Sequence, residues 1–143
     1  MASCSLFNVV SLMALPLTKT QSPRETRQRT AIRKAFHPLH RLLSVKEVLE
    51  LAAQEVPGIG VATIYRNLRS MVDAGELVSV DLPGEPPRYA LPGQPRDVVF
   101  LCARSGQAFA FAAPTDTVEQ GLPAGFVAQK TLVIIRGTVA AEA

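Results

Sequence analysis

Cysteine and histidine are scarce in this chain, with two of each in 143 residues. Cys4 and Cys102 make no disulfide framework. A cysteine-poor chain of this size fits a reducing compartment, so a cytoplasmic protein is expected. Long apolar runs are missing too. The longest stretch, Leu6 to Leu17, is interrupted by Asn8, Ser11 and Pro16 and is too short to span a bilayer. No Lys or Arg precedes it, so it lacks the charged start of a secretory signal. No membrane partner is expected. Residues 1–23 read as an N-terminal arm, disordered or swapped; alternatively, with Met13 as the true start, residues 1–12 lie outside the natural protein. Catalytic constellations are absent as well. Asp97, Asp116 and Glu119 are too scattered for paired-carboxylate chemistry. The Gly58-x-Gly60 pair has no third glycine and no preceding strand, and there is no nucleophile elbow. An enzyme is not expected. No internal repeat or low-complexity tract is present.

What the chain does have is 48% apolar residues, too many for a disordered protein, and an uneven charge. Residues 19–41 carry seven basic side chains (Lys19, Arg24, Arg27, Arg29, Arg33, Lys34, Arg41) against the single acid Glu25. Residues 97–143 carry three against four acids. A basic first third joined to a near-neutral remainder suggests one part that meets a polyanion and another that does something else.

Residues 83–95 hold five of the eleven prolines, and proline lacks the N–H that helices and central strands need. This connector divides a helix-rich segment, 24–75, from a strand-rich one, 97–137. Ala31, Ile32, Ala35 and Phe36 share one face of a first helix, which Pro38 stops. Ser44-Val45-Lys46-Glu47 is a capping box opening a second, with Val45, Val48, Leu49 and Ala52 on its apolar face. A third helix runs from Val61 to Ala74, with Val61, Ile64, Leu68, Met71 and Val72 inward, and ends at Gly75. Leu77–Leu82 and Arg88–Leu91 read as strands around a Pro83–Pro86 turn. Three helices followed by a hairpin is the order of a winged helix-turn-helix. Beyond the connector, Val98–Cys102 and Gln107–Phe111 read as strands, Pro114–Gln120 as a short helix, and Phe126–Arg136 as a buried strand. The expected fold is α+β: a winged helix-turn-helix over 24–91, a hinge at 92–96, and a small α/β dimerisation domain over 97–143.

At Gly58-Ile59-Gly60-Val61-Ala62-Thr63-Ile64-Tyr65-Arg66-Asn67-Leu68 the sequence resembles the ferric uptake regulator family of bacterial repressors. The family's signature there is a glycine-led turn into an Ala-Thr-(Val/Ile)-Tyr-Arg-x-Leu recognition helix. Thr26-Arg27-Gln28-Arg29, Ser44-Val45-Lys46-Glu47-Val48, Asp73-Ala74-Gly75-Glu76-Leu77-Val78 and Arg88-Tyr89 continue the likeness. Leu101-Cys102 with Gly106 is similar to the opening of the family's dimerisation domain. The resemblance implies a homodimeric regulator of transcription bound to double-stranded DNA.

It does not imply the family's metal, because the ligand positions have changed. Leu42 and Val99 stand where the resemblance places histidines, and Ala90 and Ala110 where it places glutamates. Of the two Cys-x-x-Cys pairs that hold a structural zinc in many members, Cys102 remains, while Ser105, Val139 and Glu142 replace the others. One thiolate does not make a tetrahedral site. His37 and His40, with no acid or cysteine beside them, are more often surface residues than ligands. No cofactor is therefore expected; zinc or iron enters only through a non-standard site. Cys102 reads as a core thiol.

The expected DNA contacts are Arg24, Arg27, Arg29, Thr63, Tyr65, Arg66 and Arg69. Arg66 and Arg69 could be a solvated helix face, but their place between a helix-turn break and a wing favours base and phosphate contacts. Thr63 and the free N–H groups near it suit a phosphate. Tyr65 is read as a DNA contact or an edge of the core. Arg24, Arg27 and Arg29 are read as a phosphate clamp, with Arg24 placed by the resemblance at the minor groove. The expected activity is sequence-specific repression. The rival reading is a protein-interaction module that keeps the dimer and has lost specific DNA binding.

Overall fold

The structure is a computed structural model that describes residues 22–37 and 41–140. Helix α1 (Pro23–Ala35) starts on a capping box that Ser22-Pro23-Arg24-Glu25 spells out. Ser22 Oγ accepts from the Glu25 N–H, and the Glu25 carboxylate accepts from the Ser22 N–H at 3.0 Å. Proline at the first helical position has no N–H to lose there. Ser22 and Pro23 thus belong to the helix rather than to an arm; residues 1–21, including Cys4, lie outside the described residues, as do Pro38 and His40.

Strand β1 (Arg41–Ser44) follows and leads directly into α2 (Val45–Glu55), whose Ser44–Glu47 capping box forms as expected. Helix α3 (Val61–Asp73) starts at Gly60 and stops where Gly75 takes φ +74°. That left-handed residue lets the N–H of Glu76 return to Met71 O at 2.8 Å. The three helices close over Ala31, Ile32, Phe36, Val48, Ala52, Ile64, Leu68 and Met71, all buried. Val61, expected in this core, is half exposed because it is the first residue of its helix.

The wing strands β2 (Val78–Val80) and β3 (Arg88–Ala90) are shorter than the sequence suggested. Beyond the connector come β4 (Val98–Cys102), β5 (Ala108–Phe111), α4 (Asp116–Gln120) and β6 (Val133–Gly137). All six strands form one sheet in the order β2-β3-β1-β5-β4-β6. Strand β1 joins its two parts: Leu43 and Ser44 pair with Tyr89 and Arg88 of β3, while Arg41 and Leu42 pair with Phe109 and Ala108 of β5. The sequence reading did not anticipate β1. Its Leu42-Leu43 core does not alternate apolar with polar because both faces are covered. Leu43 packs in the helical core and Leu42 in a second cluster, and neither is exposed.

The last strand differs from expectation. Residues 126–132 have no regular structure, and β6 occupies only 133–137, parallel to β4. Among the described residues it is an edge strand, with no strand paired on its other side, and Ile135 is half exposed. No helix among the described residues is long and apolar enough to cross a membrane.

Candidate nucleic-acid interface

Helix α3 is amphipathic. Ile64, Leu68 and Met71 anchor it, which turns Ala62, Tyr65, Arg66, Arg69, Ser70 and Asp73 outward. Tyr65 is 55% exposed, so it belongs to the surface and not to the core. The N-cap residue is Gly60, with no side chain to accept from the first-turn N–H groups. Those donors stand free beside Thr63, the arrangement that suits an anion. Thr63 is half-buried; its hydroxyl accepts from Arg66 Nη2 at 3.4 Å, and Asn67 Nδ2 donates to its carbonyl at 2.9 Å.

Arg66 lies between two clefts. One, of about 330 Å³, separates α1 from α3 and is lined by Glu25, Gln28, Arg29, Thr63, Asn67 and Ser70 besides Arg66. The other, of about 430 Å³, lies between α3 and the wing and is lined by Tyr65, Arg69, Val72, Asp73, Ser79 and Tyr89 with Arg66. Tyr89 is held above the usual phenol range, first by burial and then by the nearby Tyr65 and Asp81. It keeps its proton and can donate a hydrogen bond.

The basic side chains of α1 divide. Arg24 and Arg27 are exposed. Arg29 is turned inward: Nη1 donates to Ser70 Oγ at 3.2 Å and Nη2 pairs with the Glu76 carboxylate, which Arg33 also reaches at 2.5 Å. Hydrogen bonds from Arg29 and then Arg33 hold Glu76 below the usual carboxylate range. Arg29 therefore fixes α1 against the end of α3, whereas no ion pair engages Arg24 or Arg27 among the described residues. Sequence reading missed Asn67, Ser79 and Tyr89. Asn67 falls four residues after Thr63 on the same face, a signal that was available; the two wing residues join the cleft only through the tertiary fold.

The positions where the resemblance places sensing ligands do come together. Leu42, Ala90, Val99 and Ala110 are all buried in one cluster, completed by Leu82, Leu101 and Ala108. None of these side chains has a lone pair to donate, so they do not fit a metal ion. The other set fits no better. Cys102 is buried at the end of β4, and hydrogen bonds from the Ser105 side chain and then from backbone N–H groups at Val139, Ser105 and Arg104 lower its thiol to about 6. Ser105 and Val139 offer no second thiolate, and Glu142 lies outside the described residues. His37 is exposed. Among the described residues no three His, Cys, Asp or Glu side chains group closely enough to hold a metal.

A family model described as the ferric uptake regulator family matches residues 20–129. A comparison with curated proteins finds no match. Solved structures are similar in fold. A zinc-bound manganese uptake regulator superposes with a TM-score of 0.66 at 18% identity, over 78% of this chain and 87% of that one. The Francisella tularensis ferric uptake regulator with iron gives 0.62 at 21% identity, over 88% and 96%. The Vibrio cholerae ferric uptake regulator gives 0.60 at 20% identity, over 78% and 88%.

Proposed function

The chain belongs to the ferric uptake regulator family, DNA-binding transcription regulators and not enzymes, and from that premise we propose that it is a sequence-specific repressor acting as a homodimer without the family's usual metal sensing. Residues 24–91 read double-stranded DNA and residues 97–143 pair two copies. The carrying observation is the outer face of α3, where Tyr65, Arg66 and Arg69 project between two clefts beside an uncapped helix start. Arginine's planar fork matches the O6/N7 edge of guanine, and a helix of this size fills the major groove. Arg24, Arg27 and Thr63 then position the duplex through its phosphates. Pairing through the C-terminal half presents two such helices to successive grooves.

A salt series on a selected duplex tests this. Several phosphate contacts make the logarithm of the binding constant fall steeply and linearly with the logarithm of salt. A flat response, or equal affinity for selected and random duplexes, would point instead to a protein-interaction module.

A further inference from the structure

The seam between the two parts of the sheet is built unlike either part. Leu42, Leu82 and Ala90 come from before the connector, and Val99, Leu101, Ala108 and Ala110 from after it, yet they form one buried cluster. Beside that cluster lies Arg88, whose residue is 4% exposed although it carries a full charge. Its Nη1 donates to Leu42 O and to Glu47 Oε2, each at 3.2 Å. Its Nη2 donates to Gly106 O at 2.7 Å and lies 3.6 Å from Glu85 Oε2. One guanidinium thus touches the wing, β1, the start of α2 and the β4–β5 turn.

Neighbouring groups reinforce the crossing. Glu47 also takes the Arg41 guanidinium, and Arg41 stacks 5.9 Å over the Phe109 ring of β5. Arg136 of β6 reaches Pro83 O at 3.4 Å and Glu85 at 3.7 Å in the wing turn. Glu47 is at the same time the acidic member of the α2 capping box, the third residue of that helix. The seam is therefore tied to the helix that packs against α3.

The network is not built for stability. The Nε atoms of Arg41 and Arg88 are buried without a partner, and a buried ion pair with unmet donors gains little over apolar packing. What it fixes is geometry, because a planar fork holds its acceptors at set angles.

We propose that this seam is a closed joint pinned by Arg88, which sets the angle of α3 relative to the C-terminal half through the chain's own packing, so that Arg88 is a positioning residue for DNA binding and no ligand is needed to close the joint. The DNA part of this statement rests on the regulator reading above; the joint itself does not.

The test uses the full chain, Arg88→Met and Arg88→Lys in two assays. In hydrogen exchange the wild type protects residues 41–44 and 106–110 together, and EDTA or added zinc, manganese or iron leaves that protection unchanged. Arg88→Met lowers it by about tenfold or more while 61–73 keeps its protection, since each part retains its own core. Arg88→Lys keeps the charge but not the fork and fails to restore it. The second assay compares an operator selected from random duplexes, whole and cut to one half-site. Arg88→Met weakens the whole operator about tenfold more than the half-site. Unchanged protection in Arg88→Met, equal loss in every segment, metal-dependent protection of the seam, or full rescue by lysine overturns the pin. Coupled protection in a chain that binds no DNA overturns the regulator reading and leaves the joint standing.

Discussion

The helical half and the strand-rich half treat apolar surface in opposite ways. In the first, Ile64, Leu68 and Met71 on the inner face of α3 are buried, and Tyr65, Arg66, Arg69 and Asp73 project. In the second, Phe111, Val118, Leu122, Phe126, Val127 and Ile135 are all substantially exposed, with Phe126 at 68% and Val127 at 87%. One half is finished among its described residues and turns basic side chains outward. The other leaves large apolar side chains at its surface, and Val118, Leu122, Phe126 and Val127 line one open cavity. The contrast teaches that substitutions in the two halves fail in different ways.

The largest effect is expected inside the finished half. Leu68 is fully buried among the three helices. Leu68→Ala removes its packing and leaves a cavity, at a cost of about 2–5 kcal/mol in urea unfolding. A loss below about 1 kcal/mol would mean that the helical core is loosely packed and that the contrast is overstated.

On the outer face of the same half, Arg66→Ala is expected to weaken the selected operator by about 1–3 kcal/mol and random duplexes much less. Arg24→Ala should weaken both alike. Melting temperatures of these two variants should match the wild type, because both side chains are exposed. Equal losses for Arg66→Ala on both duplexes would assign it to the phosphates alone.

In the unfinished half the readout changes from folding to association. Phe126→Ala removes an exposed ring, so monomer stability should not fall; dimer affinity should fall by about 1–2 kcal/mol, the cost of a modest interface anchor. Sedimentation across a dilution series measures it. A wild type that stays monomeric at micromolar concentration breaks the two-half-site arrangement.

A smaller effect belongs to Glu76, which ties α1 to the end of α3. Its carboxyl sits below its ordinary value of 4.5 in the folded protein, chiefly through the Arg29 hydrogen bond. A depressed carboxylate contributes stability that is fully present above its unfolded pKa and is lost as pH falls through the folded one. The loss should therefore set in near about pH 4.5 and level off once the pH lies below the folded pKa. Partly exposed pairs are screened, so Glu76→Gln should cost about 1 kcal/mol or less at neutral pH and remove this part of the acid slope. A variant with an unchanged acid limb would assign no role to the pair.

The helical half was far more legible in the sequence than the seam. Ser44 and Glu47 announce a cap, Gly75 an end, and Ile64, Leu68 and Met71 a period, all within local reach along the chain. Strand β1 carries no such signal. Leu42 and Leu43 point to different cores, so alternation disappears, and the pairing partners Ala108 and Tyr89 are far away in sequence. Arg88 reads as one more basic residue in a wing until Gly106 O and Glu47 are seen beside it. Arg29 could be placed on the basic face of α1, but its engagement by Glu76 depends on how α1 meets α3. The end of the chain reads as a longer, more buried strand because the Leu132–Ile135 run is apolar, and an apolar run does not by itself say what covers it.

The smallest expected effect is that of chelation. A structural zinc supplies on the order of 10–16 kcal/mol of folding free energy, so a chain that depends on one unfolds when it is removed. Here Leu42, Ala90, Val99 and Ala110 belong to a buried apolar cluster at the seam, where apolar burial contributes the holding. Cys102 is the one cysteine among the described residues. Its thiol is lowered to about 6 by Ser105 and backbone N–H groups. Those same hydrogen bonds satisfy the thiolate, and a lone thiolate is one of about four ligands that zinc needs. EDTA should accordingly shift neither the melting temperature nor the operator affinity, and Cys102→Ala should lower stability slightly with DNA binding intact. Elemental analysis beside the melts is the check. About one equivalent of tightly held metal per chain, lost on chelation together with stability, would place a site on side chains outside this cluster, with His37 and Cys102 the first to replace.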